Sequence, residues 1–306
     1  MPATASTVNQ TLTNYAQGFS QDSASALADF IAPRVSTGTA SGQYKEFSDK
    51  NAFQVYETSR AIGGARKRIE FDASDKYFNC RPHGLEISID DHERELAGEG
   101  DQLGLEEAKV RTLVSAGVNS HEAGVFAKVK AAKAATGGVG VWSDPTKDPI
   151  AEMDAQIQAI AVATGVMPNR MVIGLGAWQV LRNHAKVIAR QPGAVLIGTT
   201  TAQVSAMLLN PNIEIRVGLL SKDTVKFGKA KNAVEIVGAE VFIFIGSDNP
   251  TPYDPSFAKT FETKSGGVDS VKEYRAESNV SDILAVDWSE DVQVVAPVAG
   301  RRITLS

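Results

Sequence analysis

From Leu103 to about Ala135 the chain runs without a proline, and this stretch constrains the fold more than any other. Apolar or small residues recur at helical spacing: Leu105, Ala108, Thr112, Ala116, Val118, Val125 and Val129. Gly137-Gly138 supplies a stop. At about 1.5 Å rise per residue, such a helix is a rod roughly 45 Å long. Gly117 and Gly124 are its weak points. A rod of that length outruns a small core, so the rest of the chain must either wrap it or leave it reaching outward.

The segments before the rod do not look like wrapping. Residues 1–26 are rich in Ser, Thr, Ala, Asn and Gln. They cannot offset their ordering entropy by burying their own surface, so this arm is expected to need a holder outside the local core, a neighbouring subunit being the economical one. "LADFIAPR" reads as a short helix stopped before Pro33. Then "FQVYETS" and "RIEFDAS" flank a centre, "RAIGGARKR", holding Gly63-Gly64 and the basic residues Arg60, Arg66, Lys67 and Arg68. That pattern predicts a long two-stranded excursion with a positive tip, too poor in apolar residues to form a core. These four cations are the candidate contact residues.

After the rod comes a second helix, "DPIAEMDAQIQAIAVATG", with Asp148 placed to cap it, Pro149 at its first position and Gly165 at its end. Ile150, Met153, Ile157 and Ile160 give it one apolar stripe. "NRMVIG" reads as a buried strand and "LGAWQVLRNHAKV" as a helix. "IEIRVGLL" should turn Ile213, Ile215, Val217 and Leu219 inward. "AEVFIFIG" is a buried run, and "SDILAVDWSEDVQVVAP" is expected to form a late hairpin.

Catalytic signatures fail on inspection. Gly174-x-Gly176 after a strand begins like a dinucleotide turn, but the third position is Gln179, and no acid follows where a ribose would need one. His121-Glu122 opens like a zinc-protease helix, yet Val125 stands where the second histidine belongs. His83, His92, His121 and His184 are dispersed, and with one cysteine, Cys80, they give no zinc set. Cys80 reads as a small buried hydrophobe. "DDHERE" reads as a solvated face. Ser205 lacks the glycines of a nucleophile elbow. Asp248 and Asp254 sit among prolines in what looks like a rigid surface connection. No cofactor or metal is expected. With 43% hydrophobic and 22% charged residues the chain is globular, and its net charge of −5 does not suit a protein that grips nucleic acid. No membrane span or leader is expected.

The order of parts, together with "LADFIAPRVSTGTASGQYKEFSDKNAFQVYETSRAIGG", "DPIAEMDAQIQAIAVATGVMPNRMVIGLGAWQVLRNH" and "VKEYRAESNVSDILAVDWSEDVQVVAP", resembles the major capsid proteins of tailed bacteriophages, the Hong Kong 97 fold also found in encapsulins. The resemblance implies an α+β capsid fold: N-terminal arm 1–55, extended β-hairpin loop 56–84, peripheral domain with a long spine helix 85–149, a mixed α/β axial domain 150–290, and a C-terminal return 291–306. It implies a non-enzymatic subunit of a virion, assembled in the host cytoplasm from copies of itself in hexamers and pentamers. Scaffold, portal and decoration proteins are implied partners, and packaged DNA is contacted without sequence preference. Lys67 matches the segment through which some members crosslink, but no local pattern marks an asparagine partner, and that chemistry is not carried over. An encapsulin-like cargo shell shares the fold, and a soluble α/β enzyme is the remaining alternative.

Overall fold

In a computed structural model, the protein is described except at residues 1–6, 22–25, 48–57, 61, 65, 67–72, 99–101, 138, 191–198, 226–229, 231, 264–269 and 306. Its first half comprises β1 (Thr7–Val8), α1 (Gln10–Gln21), α2 (Ala28–Ile31), β2 (Arg34–Ser36), β3 (Ser41–Phe47), β4 (Ala73–Asn79), β5 (Arg81–Asp90), α3 (Asp91–Ala97) and the rod α4 (Gln102–Ala132). Then follow α5 (Pro149–Thr164), β6 (Arg170–Gly174), α6 (Leu175–Arg182), α7 (Ala185–Ala189), α8 (Thr201–Met207), β7 (Glu214–Gly218), β8 (Ser221–Asp223) and β9 (Ala233–Glu235). The chain ends with β10 (Glu240–Phe244), β11 (Ala258–Glu262), β12 (Ser270–Ala276), β13 (Ser281–Val294) and β14 (Gly300–Thr304).

The rod is continuous over 31 residues, but its buried face is not the expected one at its N-terminal end. Val110, Leu113 and Val114 point inward, and Ala108, Thr112 and Ala116 are exposed. Larger side chains gain more by leaving water, so Leu and Val set the face where Ala and Thr compete with them. The two ends of α4 serve different cores. Val110, Leu113 and Val114 join Ile89, Val271, Leu284 and Val286. Val125, Phe126 and Val129 join Phe30, Ile31, Val172, Phe242 and Phe244.

Strand β13 organises the first core. It pairs antiparallel with β12 over Ser281–Asp287, with β5 over Ser281–Glu290 and with β11 over Glu290–Val294, and β2 adds to β11 in parallel. The expected late hairpin is therefore wrong: residues 281–294 are one strand, whose hairpin partner β12 precedes it. No Gly, Pro or Asn interrupts "SDILAVDWSEDVQV", so nothing in it turns the chain.

A second sheet, ordered β14-β10-β6-β7, carries another core with α5, in which Trp142, Ile150, Met153, Ile157 and Ile160 are buried. Helix α5 is as expected, with Asp148 accepting from the Ala151 amide and Gly165 left-handed at φ 70°. The 175–187 helix is broken at Asn183-His184 into α6 and α7. Ile213, just before β7, is buried, and Ile215 and Val217 within it are half-buried, but Leu219 is exposed because the strand ends at Gly218. Gly174 closes β6 where a Cβ would lie 1.6 Å from the Gly238 carbonyl oxygen. Its glycine is a packing requirement, not a phosphate turn.

The arm also differs from expectation, because helix α1 docks on its own subunit. Leu12 and Ala16 are buried in the core that holds Val110 and Val114. Thr13 accepts from the Val271 amide at 3.1 Å, and the Asn9 amide donates to the Val271 carbonyl at 3.1 Å. Few apolar residues suffice because they land on a surface that the sheet and rod have already built.

Candidate functional site

Two features stand out from the cores: a two-stranded ribbon and an ionic cluster that fastens the N-terminal segment to the rod. Strands β3 and β4 pair in register from Ser41↔Asn79 to Phe47↔Ala73. Their base is apolar. Phe78 stacks on Phe261 with centroids 4.5 Å apart, and Tyr44 lies 5.5 Å from the same ring. Cys80 is buried there as expected, its Sγ donating to the Phe261 carbonyl at 3.4 Å. Burial, with the Asp291 carboxylate adding to it, pushes the thiol up to about 11. Further out the ribbon is held by charge, with Lys45–Asp75 at 2.5 Å and Lys76–Glu46 at 3.4 Å.

The expected strands "FQVYETS" and "RIEFDAS" lie largely outside the described residues, as do Lys67 and Arg68. Arg60 and Arg66 are exposed. The Arg60 guanidinium closes the turn by donating to the Gly64 carbonyl at 2.8 Å, and Gly63 takes a positive φ of 79° there. Ile62 stands fully in solvent between them, 107% exposed. This tip offers two cations and an apolar side chain that its own subunit leaves uncovered.

"DDHERE" is not merely solvated. Asp90 and Glu93 form a capping box on α3, Glu93 takes Lys109 at 2.9 Å, and Asp91 takes Arg275 bidentately at 2.5 and 2.6 Å. The hydrogen bond from Arg275 holds the Asp91 carboxyl below the usual range. Arg94 joins Glu106 at 3.0 Å and Asp282 at 3.3 Å.

Sequence reasoning missed the ionic cluster on α4. His121 and Glu122 are buried amid the apolar stripe of the rod. The Leu27 and Ala28 amides both donate to Glu122 Oε2, at 2.8 and 2.6 Å. This carboxylate caps α2, whose own N-cap Leu27 has no side chain able to do so. His121 Nδ1 meets Glu290 at 2.9 Å, and Nε2 faces Asp29 at 3.6 Å. Arg34 reaches Asp29 at 2.9 Å, Glu262 at 3.3 Å and Glu290 at 3.5 Å. Burial pushes the Glu122 carboxyl up to about 7, and the two amide donors only partly oppose it. For His121, burial disfavours the imidazolium, but Asp29 and Glu290 at its two nitrogens outweigh that and raise its pKa. The only signal in the sequence was a polar pair at positions 121 and 122 in step with Val118 and Val125.

Beside this cluster a cleft of about 490 Å³ opens between ribbon and rod, lined by Tyr77, Arg81, Lys128, Trp288 and Asp291 among others. His83 covers the Trp288 ring with centroids 5.8 Å apart. Ser205 lies within 2.8 Å of the Pro211 and Ile213 carbonyls, a structural position. Among the described residues, no three His, Cys, Asp or Glu side chains form a metal set. Asp254 belongs instead to a lock on the fully buried Lys259, whose ammonium also meets the Thr251 and Asp254 carbonyls at 2.6 Å. What these features do chemically is hold and present surfaces.

No family model matches the chain. It is 26% identical over 269 residues to the major capsid protein of Burkholderia phage BcepMu, covering 85% of each chain. A phage-related protein from Bordetella bronchiseptica RB50 superposes with a TM-score of 0.76 over 98% of both chains at 24% identity. The putative capsid protein of an Escherichia coli CFT073 prophage superposes with a TM-score of 0.55, covering 99% of this chain and all (100%) of that one at 10% identity. The chain has homologues named as phage major capsid proteins, and its fold is the Hong Kong 97-type α+β capsid fold.

Proposed function

We infer that this chain is a major capsid protein, the subunit that self-assembles into the icosahedral head shell of a tailed phage around double-stranded DNA. The observation that carries the reading is similarity to a phage major capsid protein along most of the chain, joined to a fold that matches capsid subunits from end to end. The virion is its place, and its role is structural rather than catalytic. An encapsulin-like cargo shell shares the fold, but both curated relatives are phage capsid proteins.

The physical argument agrees. One compact subunit cannot lock a curved lattice, so a shell protein needs parts that extend past its own core. Here that part is the ribbon beyond the Phe78–Phe261 stack, with Arg60, Ile62 and Arg66 at its tip. We assign residues 1–55 to the arm, 56–84 to the extended loop, 85–149 to the peripheral domain and 150–290 mainly to the axial domain, although β12 and β13 pair back onto β5 of the peripheral part, and in the return 291–306 strand β14 pairs with β10 of the axial sheet. Arg60, Arg66, Lys67 and Arg68 would contact a neighbouring copy in hexamers and pentamers. Scaffold, portal and decoration proteins are further partners in this reading, and DNA is confined rather than gripped, in keeping with the net charge of −5.

Sedimentation velocity of the purified protein tests the reading. Megadalton particles or capsomers are expected, and a stable monomer or dimer under every assembly condition would overturn it.

A further inference from the structure

Six ionisable side chains from five elements meet where the arm joins the body: Asp29 from α2, Arg34 from β2, His121 and Glu122 from α4, Glu262 from β11 and Glu290 from β13. The Trp288 side chain also reaches Glu290. Four carboxylates thus share one guanidinium and one imidazole. With every acid ionised and the imidazole neutral, four negative charges would crowd a single positive one. Protons on His121 and Glu122 change this to three negatives facing two positives.

We propose that this cluster is a proton-held clasp on α2: a proton on His121 lets it pair with both Asp29 and Glu290, a proton on Glu122 spares the joint a fourth buried negative charge while its oxygen still accepts from the two amides, and rising pH loosens the hold of α2 on the rod. The geometry localises the effect. Glu122 holds the first two amides of α2, at Leu27 and Ala28, and Asp29 in the next position faces both His121 and Arg34.

The sign follows from linkage. Folding raises the Glu122 carboxyl from 4.5 to about 7, so its stabilising proton is retained in mild acid and lost as pH climbs through that interval. His121 is raised above 6.5, so its contribution is full below that value and disappears as pH passes the folded one. Asp29 and Glu290 work the other way. Burial opposes their ionised forms, but His121 and Arg34 hold both below the carboxylate range, so their contribution is lost only in stronger acid. The clasp is therefore tightest in mild acid. The proposal concerns the subunit alone and stands whether or not the shell reading does.

The test uses the full-length, unassembled subunit at constant ionic strength. Amide hydrogen exchange at Leu27–Ile31, corrected for the intrinsic pH dependence of exchange, should show protection falling about tenfold or more between about pH 6 and 8. Amides of β6 and β10, in the other sheet, should change far less. In Glu122→Gln, which keeps an acceptor for both amides but cannot ionise, the fall should be markedly smaller, and the melting temperature should depend less on pH than that of wild type. Constant wild-type protection at Leu27–Ile31, or an equal loss in β6 and β10, would overturn the proposal even if the variant failed to fold. Parallel pH dependence in wild type and Glu122→Gln would overturn it too.

Discussion

Replacing Leu12 by Ala should undock the arm helix from its own subunit. Leu12 is fully buried in a small core with Ala16, Val110, Val114 and Val271, and beside it Thr13 and Asn9 bond the Val271 backbone while the Tyr15 hydroxyl accepts from Arg111 at 2.9 and 3.2 Å. Truncating a buried Leu costs about 2–5 kcal/mol, part lost transfer energy and part cavity. Taking about 3 kcal/mol, α1 amide protection should fall on the order of a hundredfold. With an unfolding entropy of about 2.1 cal/mol/K per residue, a chain of 306 residues should lose about 5 °C of Tm if docking is coupled to global unfolding. Should α1 release first, the Tm loss is smaller and the exchange loss remains. Scanning calorimetry and hydrogen exchange on the unassembled subunit read both quantities. Unchanged Tm together with unchanged α1 exchange would refute the reasoning and return the arm to a neighbour's keeping.

Gly174→Ala should destabilise by about 3 kcal/mol or more, because two backbones meet there and neither can yield. Gly176→Ala, whose Cβ meets nothing nearer than 3.7 Å, should be tolerated, and denaturant melts would separate the two. Cys80, buried and pushed up to about 11, should resist a thiol reagent at about pH 8 in the native protein and react at once when unfolded. Prompt native labelling would contradict its position. The triple charge reversal Arg66→Glu, Lys67→Glu, Arg68→Glu should leave the fold intact and impair assembly, with salt weakening wild-type assembly in the same direction. Each exposed pair contributes only about 0–1 kcal/mol, but a shell repeats it at every subunit. Normal shells from the variant at all salt concentrations would remove the assignment of the tip.

The sequence made legible those elements whose signals are local. Helix α5 carries its cap, its first-turn proline and its terminal glycine within itself, and β6 and β10 are apolar runs that only a sheet interior explains. What it hid depends on partners distant in the chain. Val110 rather than Ala108 faces inward because β5, β12 and α1 arrive on that side. Strand β13 remains single because β5 and β11 extend its pairing beyond the end of β12. His121 and Glu122 looked like a failed metal motif because their partners lie at positions 27–29 and 290. Part of the tip was readable, since a basic run on glycines announces a turn in any context. Which surface would receive it in the proposed shell is a question for another copy of the chain, not for local sequence.

Shell formation is tested most directly by an electron micrograph of the expressed full-length protein. Closed, uniform, near-spherical particles built from many copies are the expected result. A field of small discrete oligomers, unchanged when protein concentration, salt and pH are varied, would contradict the account.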